Sequence, residues 1–363
     1  MERLVNVDLG LRSYEVRVGP GLLAELGETV REQFRPSSVV VISDDAVASI
    51  YGEACLASLR NTGLRAEMLT FPAGEPSKTL DTYAGLMDGL LGLDDPIDRD
   101  TAIVALGGGV AGDLAGFVAA TALRGLRLVQ CPTSLLACVD SSVGGKTGVD
   151  HAAGKNLIGA FHQPSAVLID TEALRTLPEA EVRNGLAECV KHAVIRDPKL
   201  LRAIADRASD ILSCDSEAMV ELVARNVAIK AAVVSADERE QGVRADLNYG
   251  HTVGHAIETH LGYDAIRHGE AVSLGMIAEN EIALSRGMLA RDEAGRIRHA
   301  LEALGLPTRR AGLDGDALWS VMRHDKKARC GAVRFVLPRS VGQVEIVSDV
   351  DRGEASAALE ALA

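Results

Sequence analysis

Residues 101–117 read TAIVALGGGVAGDLAGF. The run from Thr101 to Leu106 is short and apolar, the length and texture of a strand buried on both faces. Three glycines follow at once, and then a segment with helical spacing. Gly107, Gly109 and Gly112 satisfy G-x-G-x-x-G between a strand and a helix. In that context side-chain-free residues let backbone N–H groups approach a pyrophosphate at the helix N-terminus. The acidic residue expected about 20 positions on, which holds a ribose, is missing, because that region reads Gln130-Cys-Pro-Thr133. A tight turn with close helix packing therefore stands beside nucleotide binding as a reading of the segment. Upstream, Gly74-Glu-Pro-Ser-Lys78 adds a polar loop after a strand, where open α/β sheets bind ligands.

The same alternation extends outward. Residues 38–43, 66–71 and 127–131 read as further buried strands, with a helical pattern over 77–92. Strands alternating with helices predict a mostly parallel sheet covered by helices. Residues 5–18 have the character of an antiparallel edge pair. Beyond residue 178 the texture changes, and 178–195, 198–213, 217–237, 250–262, 270–286 and 291–304 carry helical periodicity. The expected fold is thus an α/β nucleotide-binding domain over 1–177 and a mainly α-helical domain over 178–363, divided where Pro178 starts a helix. A late strand over 332–337 is expected to pair with 343–347, and the Ala-rich tail after Asp351 to form a surface helix. No internal repeat stands out.

The chain has 363 residues, with 38 Lys plus Arg against 51 Asp plus Glu, a net charge of −13. Such a chain has no general electrostatic pull on nucleic acid or on an anionic membrane. An anionic ligand must be held by a local basic cluster. The first residues lack the apolar core of a secretory signal, and no apolar run reaches membrane-spanning length. The six cysteines are scattered with no C-x-x-C pair, which fits reduced, mostly buried thiols in a cytoplasmic protein.

A local basic cluster is present over 132–156, PTSLLACVDSSVGGKTGVDHAAGKN. Its Gly144-Gly-Lys146-Thr147 is not a Walker loop, since Asp140 stands where the first glycine would be. Lysines flanked by glycines fit a local anion site; a solvated loop is the plainer alternative. Seven of the nine histidines lie between 151 and 268. His251 and His255 share a helix face at i, i+4, but Thr252 replaces the glutamate of a zincin. Two histidines and a carboxylate leave a position open on a catalytic zinc. The residues alone leave the set undecided: any two of His251, His255, His260 and His268, with Glu188, Glu258 or Glu270. Glu188 and Lys191, at i, i+3, equally suit a surface ion pair.

Together, GGGVAGDLAGFVAATALRG (107–125), QCPTSLLACVDSSVGGKTGV (130–149), GKNLIGAF (154–161), GLAECVKH (185–192), ADEREQGVRADLNYGHTVGHAIE (236–258), HGEAVSLGM (268–276) and DKK (325–327) resemble the 3-dehydroquinate synthase family of sugar phosphate cyclases. The resemblance runs in consistent order from about residue 38 to residue 340. It implies an active site in a cleft between the two domains, catalytic NAD, one divalent metal ion (zinc or cobalt) and a homodimer. It makes Glu188, His251 and His268 the metal ligands. Lys146, Asn248, His255, Lys326 and Lys327 would serve the substrate phosphate. Asp140, Asn156, Lys191, Lys230 and Arg244 would hold its carboxylate and hydroxyls, and Arg124 would reach into the neighbouring subunit's site. Asp44, Glu75, Lys78, Gly108, Gly109, Asp113, Thr133, Ser134, Lys155 and Thr176 would line the NAD site. Ser134 where Thr is common, His192 where Tyr is common and one extra residue before His268 are departures from the family pattern; none removes a proposed catalytic group.

The implied reaction converts 3-deoxy-D-arabino-heptulosonate 7-phosphate to 3-dehydroquinate and phosphate, by transient oxidation, β-elimination, re-reduction and aldol closure. An aminodehydroquinate synthase would share nearly the same residues. A 2-deoxy-scyllo-inosose or valiolone synthase would differ around Asn248, Lys326 and Lys327. A metal-dependent polyol dehydrogenase would need no phosphate-binding lysines.

Overall fold

The computed structural model describes residues 1–262, 265–325 and 333–363. Packing divides the chain into two units, Met1–Leu177 with Met219–Arg239, and Pro178–Ala218 with Glu240–Ala363. Most of the helix Ser216–Ala236 therefore belongs to the first unit, whereas a single division at residue 177 assigns it to the second. Polar anchors account for this. Lys230 pairs with Asp140 at 2.6 Å, Asp8 N donates to Ser235 Oγ at 3.0 Å, and Arg12 pairs with Glu238 at 2.6 Å.

The first unit is built on a seven-stranded sheet. Its strands are β1 (Arg3–Val7), β2 (Tyr14–Gly19), β3 (Val39–Asp44), β4 (Ala66–Phe71), β5 (Ala102–Gly107), β6 (Arg127–Pro132) and, after the hairpin β7 (Lys146–His151) and β8 (Gly154–Phe161), β9 (Ala166–Asp170). The spatial order is β1-β2-β9-β6-β5-β3-β4. β1 is antiparallel to β2, as residues 5–18 suggested, and every other pairing in this sheet is parallel. Side chains alternate across the sheet, so β3 and β5 feed two cores. Val40, Ile42, Ile103 and Ala105 pack with Leu114, Ala115 and Val118 of the helix Gly109–Thr121. Val39, Val41, Val104 and Leu106 pack on the other face with Leu26, Val30 and Leu59. Each such fully buried Val, Leu or Ile contributes about 1.5–3 kcal/mol.

In the second unit the helix His268–Ser285 packs against both Glu179–Arg196 and His251–Leu261. The late strand is β10 (Phe335–Ser340), paired antiparallel with β11 (Gln343–Val347); the residue from which sequence expected it to start, 332, lies outside the described residues. The tail helix Arg352–Glu360 is not purely a surface helix. It buries Ala355, Ala358 and Leu359, packing on the helices His268–Ser285 and Gly315–Asp325. Cys55, Cys131, Cys138 and Cys189 are buried free thiols and Cys214 is half-buried; Cys330 lies outside the described residues. Among the described residues no helix is long and apolar enough to cross a membrane.

Candidate active site

In the first unit the predicted cofactor residues sit at the carboxyl ends of parallel strands. Asp44 ends β3, Glu75 and Lys78 follow β4, Gly108 and Gly109 follow β5, Thr133 and Ser134 follow β6, and Thr176 closes the turn after β9. The chain steps outward from β3 to β4 and returns to the other flank of β3 for β5. The change of direction falls between β3 and β5, the crevice where open α/β sheets bind ligands. Asp44 and the glycine turn meet there. Gly107 has φ +151°, and a Cβ on it would lie 3.2 Å from Asp44 Oδ2 and 2.6 Å from Ala111 Cβ. Gly108 is the N-cap of the helix Gly109–Thr121 and supplies no side-chain cap. A Cβ on Gly108 or Gly109 would meet the hydroxyls of Ser134 and Ser141 at 3.4 and 3.3 Å. Bare backbone at a helix N-terminus, floored by hydroxyls, suits the phosphates of a dinucleotide. Ser141 carried no signal in the sequence beyond its place in a polar run.

Behind the turn, buried Lys78 lies 2.5 Å from Asp113 Oδ2 and donates to Asn156 Oδ1 at 2.5 Å. Burial acts to lower its pKa, but Asp113, with Glu75 and Asp150, outweighs that and raises it, so the ammonium is held. The Asp113 carboxyl is raised, chiefly by burial. Asn156 takes the left-handed conformation (φ +56°), and its N–H donates to Asp150 Oδ1 at 2.7 Å. Lys155 pairs with Glu75 at 3.1 Å, and buried Lys230 with Asp140. The polar run read as an anion site or loop is in part the β7–β8 hairpin, with exposed Lys146 at its start. Thr176 is tied to Tyr51, hydroxyl to hydroxyl at 2.5 Å. Arg124 is exposed on a turn where Leu123 (φ +49°) and Arg124 (φ +70°) are both left-handed.

In the second unit Glu188 is fully buried in the helix Glu179–Arg196, paired with Lys191, which is 2% exposed. This is a core pair, not a surface one. His251 and His268 begin the helices His251–Leu261 and His268–Ser285 and aim at the same carboxylate oxygen. Their Nε2 atoms lie 3.4 and 3.6 Å from Glu188 Oε1. The other ring nitrogens are both occupied: His251 Nδ1 donates to the Tyr249 carbonyl at 3.1 Å, and His268 Nδ1 to Glu258 Oε2 at 3.3 Å. That arrangement fixes the tautomer and turns both Nε2 atoms to the shared point. Four donors at 2.0–2.2 Å from a tetrahedral ion are about 3.4 Å apart, which matches these separations. Glu188 Oε2 is taken by Lys191, which leaves Oε1 facing the two imidazoles. A buried carboxylate oxygen turned to two oriented imidazoles fits a divalent cation.

The charges respond accordingly. Burial alone would raise the Glu188 pKa, but Lys191, His251 and His268 hold it well below the carboxylate range. Burial, reinforced by Lys191, drives His251 well below its ordinary value. Burial also acts to lower His268, but its bonds to Glu188 and Glu258 prevail and lift it to about 10.

Of the open alternatives, Glu270 is consumed in capping its own helix through Arg267 N at 3.0 Å, and His260 is exposed at the far end of its helix. His255 is exposed with its ring 5.1 Å from that of His251, and forms a second close group with Glu258 and His268. Arg244, buried, and Asn248, half-buried, occupy the short segment Val243–Asn248 just before the His251 helix. Lys326 and Lys327 lie outside the described residues. The Tyr249 carbonyl was not foreseen, since a backbone acceptor leaves no mark in a sequence.

Comparison with known proteins identifies the family. The family described as 3-dehydroquinate synthase N-terminal matches residues 68–184, and 3-dehydroquinate synthase C-terminal matches 185–328. A 3-dehydroquinate synthase of Desulforamulus reducens is 47% identical, over 98% of this chain and 99% of its own. A 2-epi-5-epi-valiolone synthase of Streptomyces hygroscopicus subsp. jinggangensis 5008, solved with NAD+ and Zn2+, is 30% identical with a TM-score of 0.87, over 96% of each chain. A 2-deoxy-scyllo-inosose synthase, solved with carbaglucose-6-phosphate, NAD+ and Co2+, is 26% identical with a TM-score of 0.89, over 100% of each chain. With both halves matched in order and nearly the whole length aligned at 47% identity, the chain belongs to the 3-dehydroquinate synthase family.

Proposed function

We propose that this chain converts 3-deoxy-D-arabino-heptulosonate 7-phosphate to 3-dehydroquinate and phosphate. The observation that carries the reading is the convergence of His251 and His268 Nε2 on buried Glu188 Oε1, within a chain of this family. Glu188, His251 and His268 are the ligands of one divalent ion, zinc or cobalt. Glu258 and the Tyr249 carbonyl work behind the imidazoles, because they already occupy the Nδ1 atoms. The Gly107–Gly109 turn, with Asp44, Glu75, Lys78, Asp113, Thr133, Ser134, Lys155 and Thr176, holds NAD. When bound, the dinucleotide supplies reversible hydride transfer and the ion supplies polarisation of a substrate oxygen.

The chain's own groups then position and neutralise. Lys146, exposed at the start of β7, is assigned to the substrate phosphate, and His255, exposed beside the cluster, shares that duty with Asn248, Lys326 and Lys327. Lys191 keeps Glu188 ionised and offers a buried ammonium to a substrate hydroxyl or carboxylate. Lys230 with Asp140, Asn156 and Arg244 orient the remaining polar groups. These cations meet the need set by a net charge of −13, that an anionic substrate be held locally. Arg124, exposed on its left-handed turn, is assigned to the site of a second copy, making the working unit a cytoplasmic homodimer.

The test is phosphate release from 3-deoxy-D-arabino-heptulosonate 7-phosphate by purified protein with catalytic NAD+ and zinc or cobalt, with nicotinamide absorbance followed in the same cuvette. The expected result is one phosphate per dehydroquinate formed and no net NADH. No turnover with this substrate, or steady NADH accumulation with a plain polyol, would overturn the reading.

A further inference from the structure

The helix His268–Ser285 buries an acid and an amide, Glu279 and Asn280, inside an otherwise apolar stretch. Glu279 is fully buried and Asn280 is 2% exposed. Neither belongs to the metal cluster or to any group assigned above. Burying such groups is costly unless they are paired, and a helix packs as well with apolar side chains. Their bonds go to two adjacent residues of one turn. Glu279 Oε2 accepts the N–H of Gly250 at 2.7 Å, and Asn280 Oδ1 accepts the hydroxyl of Tyr249 at 2.6 Å. The carbonyl of Tyr249 is the acceptor that holds His251 Nδ1 at 3.1 Å.

The turn has no slack in the other direction. Gly250 is left-handed at φ +79°, and a Cβ there would lie 2.6 Å from Met276 Cγ and 2.9 Å from the Val272 carbonyl. Met276 and Val272 belong to the same helix as Glu279 and Asn280. One helix thus pulls the turn in by two hydrogen bonds and limits its approach by contact. Its first residue is His268, so the element that supplies one imidazole also sets the backbone that orients the other.

We propose that Glu279 and Asn280 are positioning residues for the metal centre: through the Tyr249–Gly250 turn they fix the ring of His251, and with it the affinity and geometry with which a divalent cation is held. The inference rests on the reading of Glu188, His251 and His268 as ligands. Removing a partner that orients a metal-binding histidine costs about 10–100-fold in metal affinity. Tyr249 and Glu279 act one link further back, so a loss of about 10-fold is expected from each.

The experiment is titration of the metal-free full-length protein with Co2+, read as a dissociation constant and as the visible cobalt band. Tyr249→Phe removes one oxygen and keeps the packing. It is expected to weaken Co2+ binding about 10-fold and to shift or weaken the band. Glu279→Leu is expected to do the same, and Glu279→Gln, which keeps an acceptor for the Gly250 N–H, to recover most of the affinity. Should Glu279→Leu not fold, Tyr249→Phe carries the test. A Tyr249→Phe protein with the wild-type constant and band overturns the positioning role. A wild-type protein that binds no Co2+ at one equivalent overturns the ligand assignment on which the role rests.

Discussion

The Nδ1 of His268 lies 3.3 Å from Glu258 Oε2, a carboxylate that is itself only 6% exposed. The bond joins the helix His251–Leu261 to the first residue of the helix His268–Ser285, so it holds the His268 ring from the side opposite Glu188. A carboxylate behind a histidine raises the basicity of the ligating nitrogen and fixes the ring. Glu258→Gln keeps an acceptor and loses the charge, while Glu258→Ala loses both. Zinc affinity is expected to fall about 10-fold in the first and closer to 100-fold in the second. Competition with a chelating dye on the metal-free protein checks this. Equal affinity across the three proteins would show that Glu258 serves only the fold.

Gly107 is the residue on which the dinucleotide turn depends. Its φ of +151° is one that side chains rarely adopt, and an added Cβ would stand 2.6 Å from Ala111 Cβ. Gly107→Ala should therefore force a shift of the helix start costing about 1–3 kcal/mol. The same shift moves the bare N–H groups presented by Gly108 and Gly109. NAD affinity should fall further than the melting temperature alone suggests, and calorimetric titration with NAD+ beside thermal unfolding separates the two effects. Wild-type NAD affinity in a destabilised protein would separate the turn from the cofactor.

The parallel strands β3 to β6 were legible because each is a short apolar run followed by turn residues, and the helices beyond residue 178 because their apolar faces repeat. β9, buried throughout and apolar up to Asp170, has only four apolar residues in a row, too short a run to stand out from the polar and glycine-rich segment before it. The β7–β8 hairpin was missed because its glycines and lysines imitate a loop: Gly148 and Gly159 face each other where the strands come too close for any Cβ. For the site, spacing could offer histidines and carboxylates but not choose among them. The choice depends on Glu258 and Glu270 being used elsewhere, by His268 and by the backbone of Arg267. That is a fact of packing between helices far apart in the chain, which periodicity does not encode.

Lys146 is exposed at the beginning of β7, flanked by Gly144 and Gly145. A charge-assisted bond to phosphate contributes about 1.5–3 kcal/mol. Lys146→Ala should accordingly lower kcat/KM for the phosphorylated substrate by about 10- to 100-fold. It should leave zinc and NAD+ affinities unchanged, since those groups are held by other residues. Steady-state kinetics beside both binding titrations tests the assignment; unchanged kinetics would remove Lys146 from the phosphate site.

Burial pushes the Cys55 thiol up to about 12 and raises those of Cys131 and Cys138 as well. A thiol kept protonated in the fold contributes stability that is intact below the ordinary value of 9.0 and is lost as pH rises through the folded value. The protein is therefore expected to lose stability between pH 9 and about 12, and Cys55→Ala to shed part of that slope while leaving a small cavity. At pH 8 the native protein should resist iodoacetamide at Cys55, Cys131 and Cys138, because the reactive species is the thiolate. Adding urea should open all three together, since they lie within one unit. Peptide mass mapping of native and unfolded protein reads both states, and rapid native labelling at Cys131 would contradict the buried sheet on which the dinucleotide turn is built.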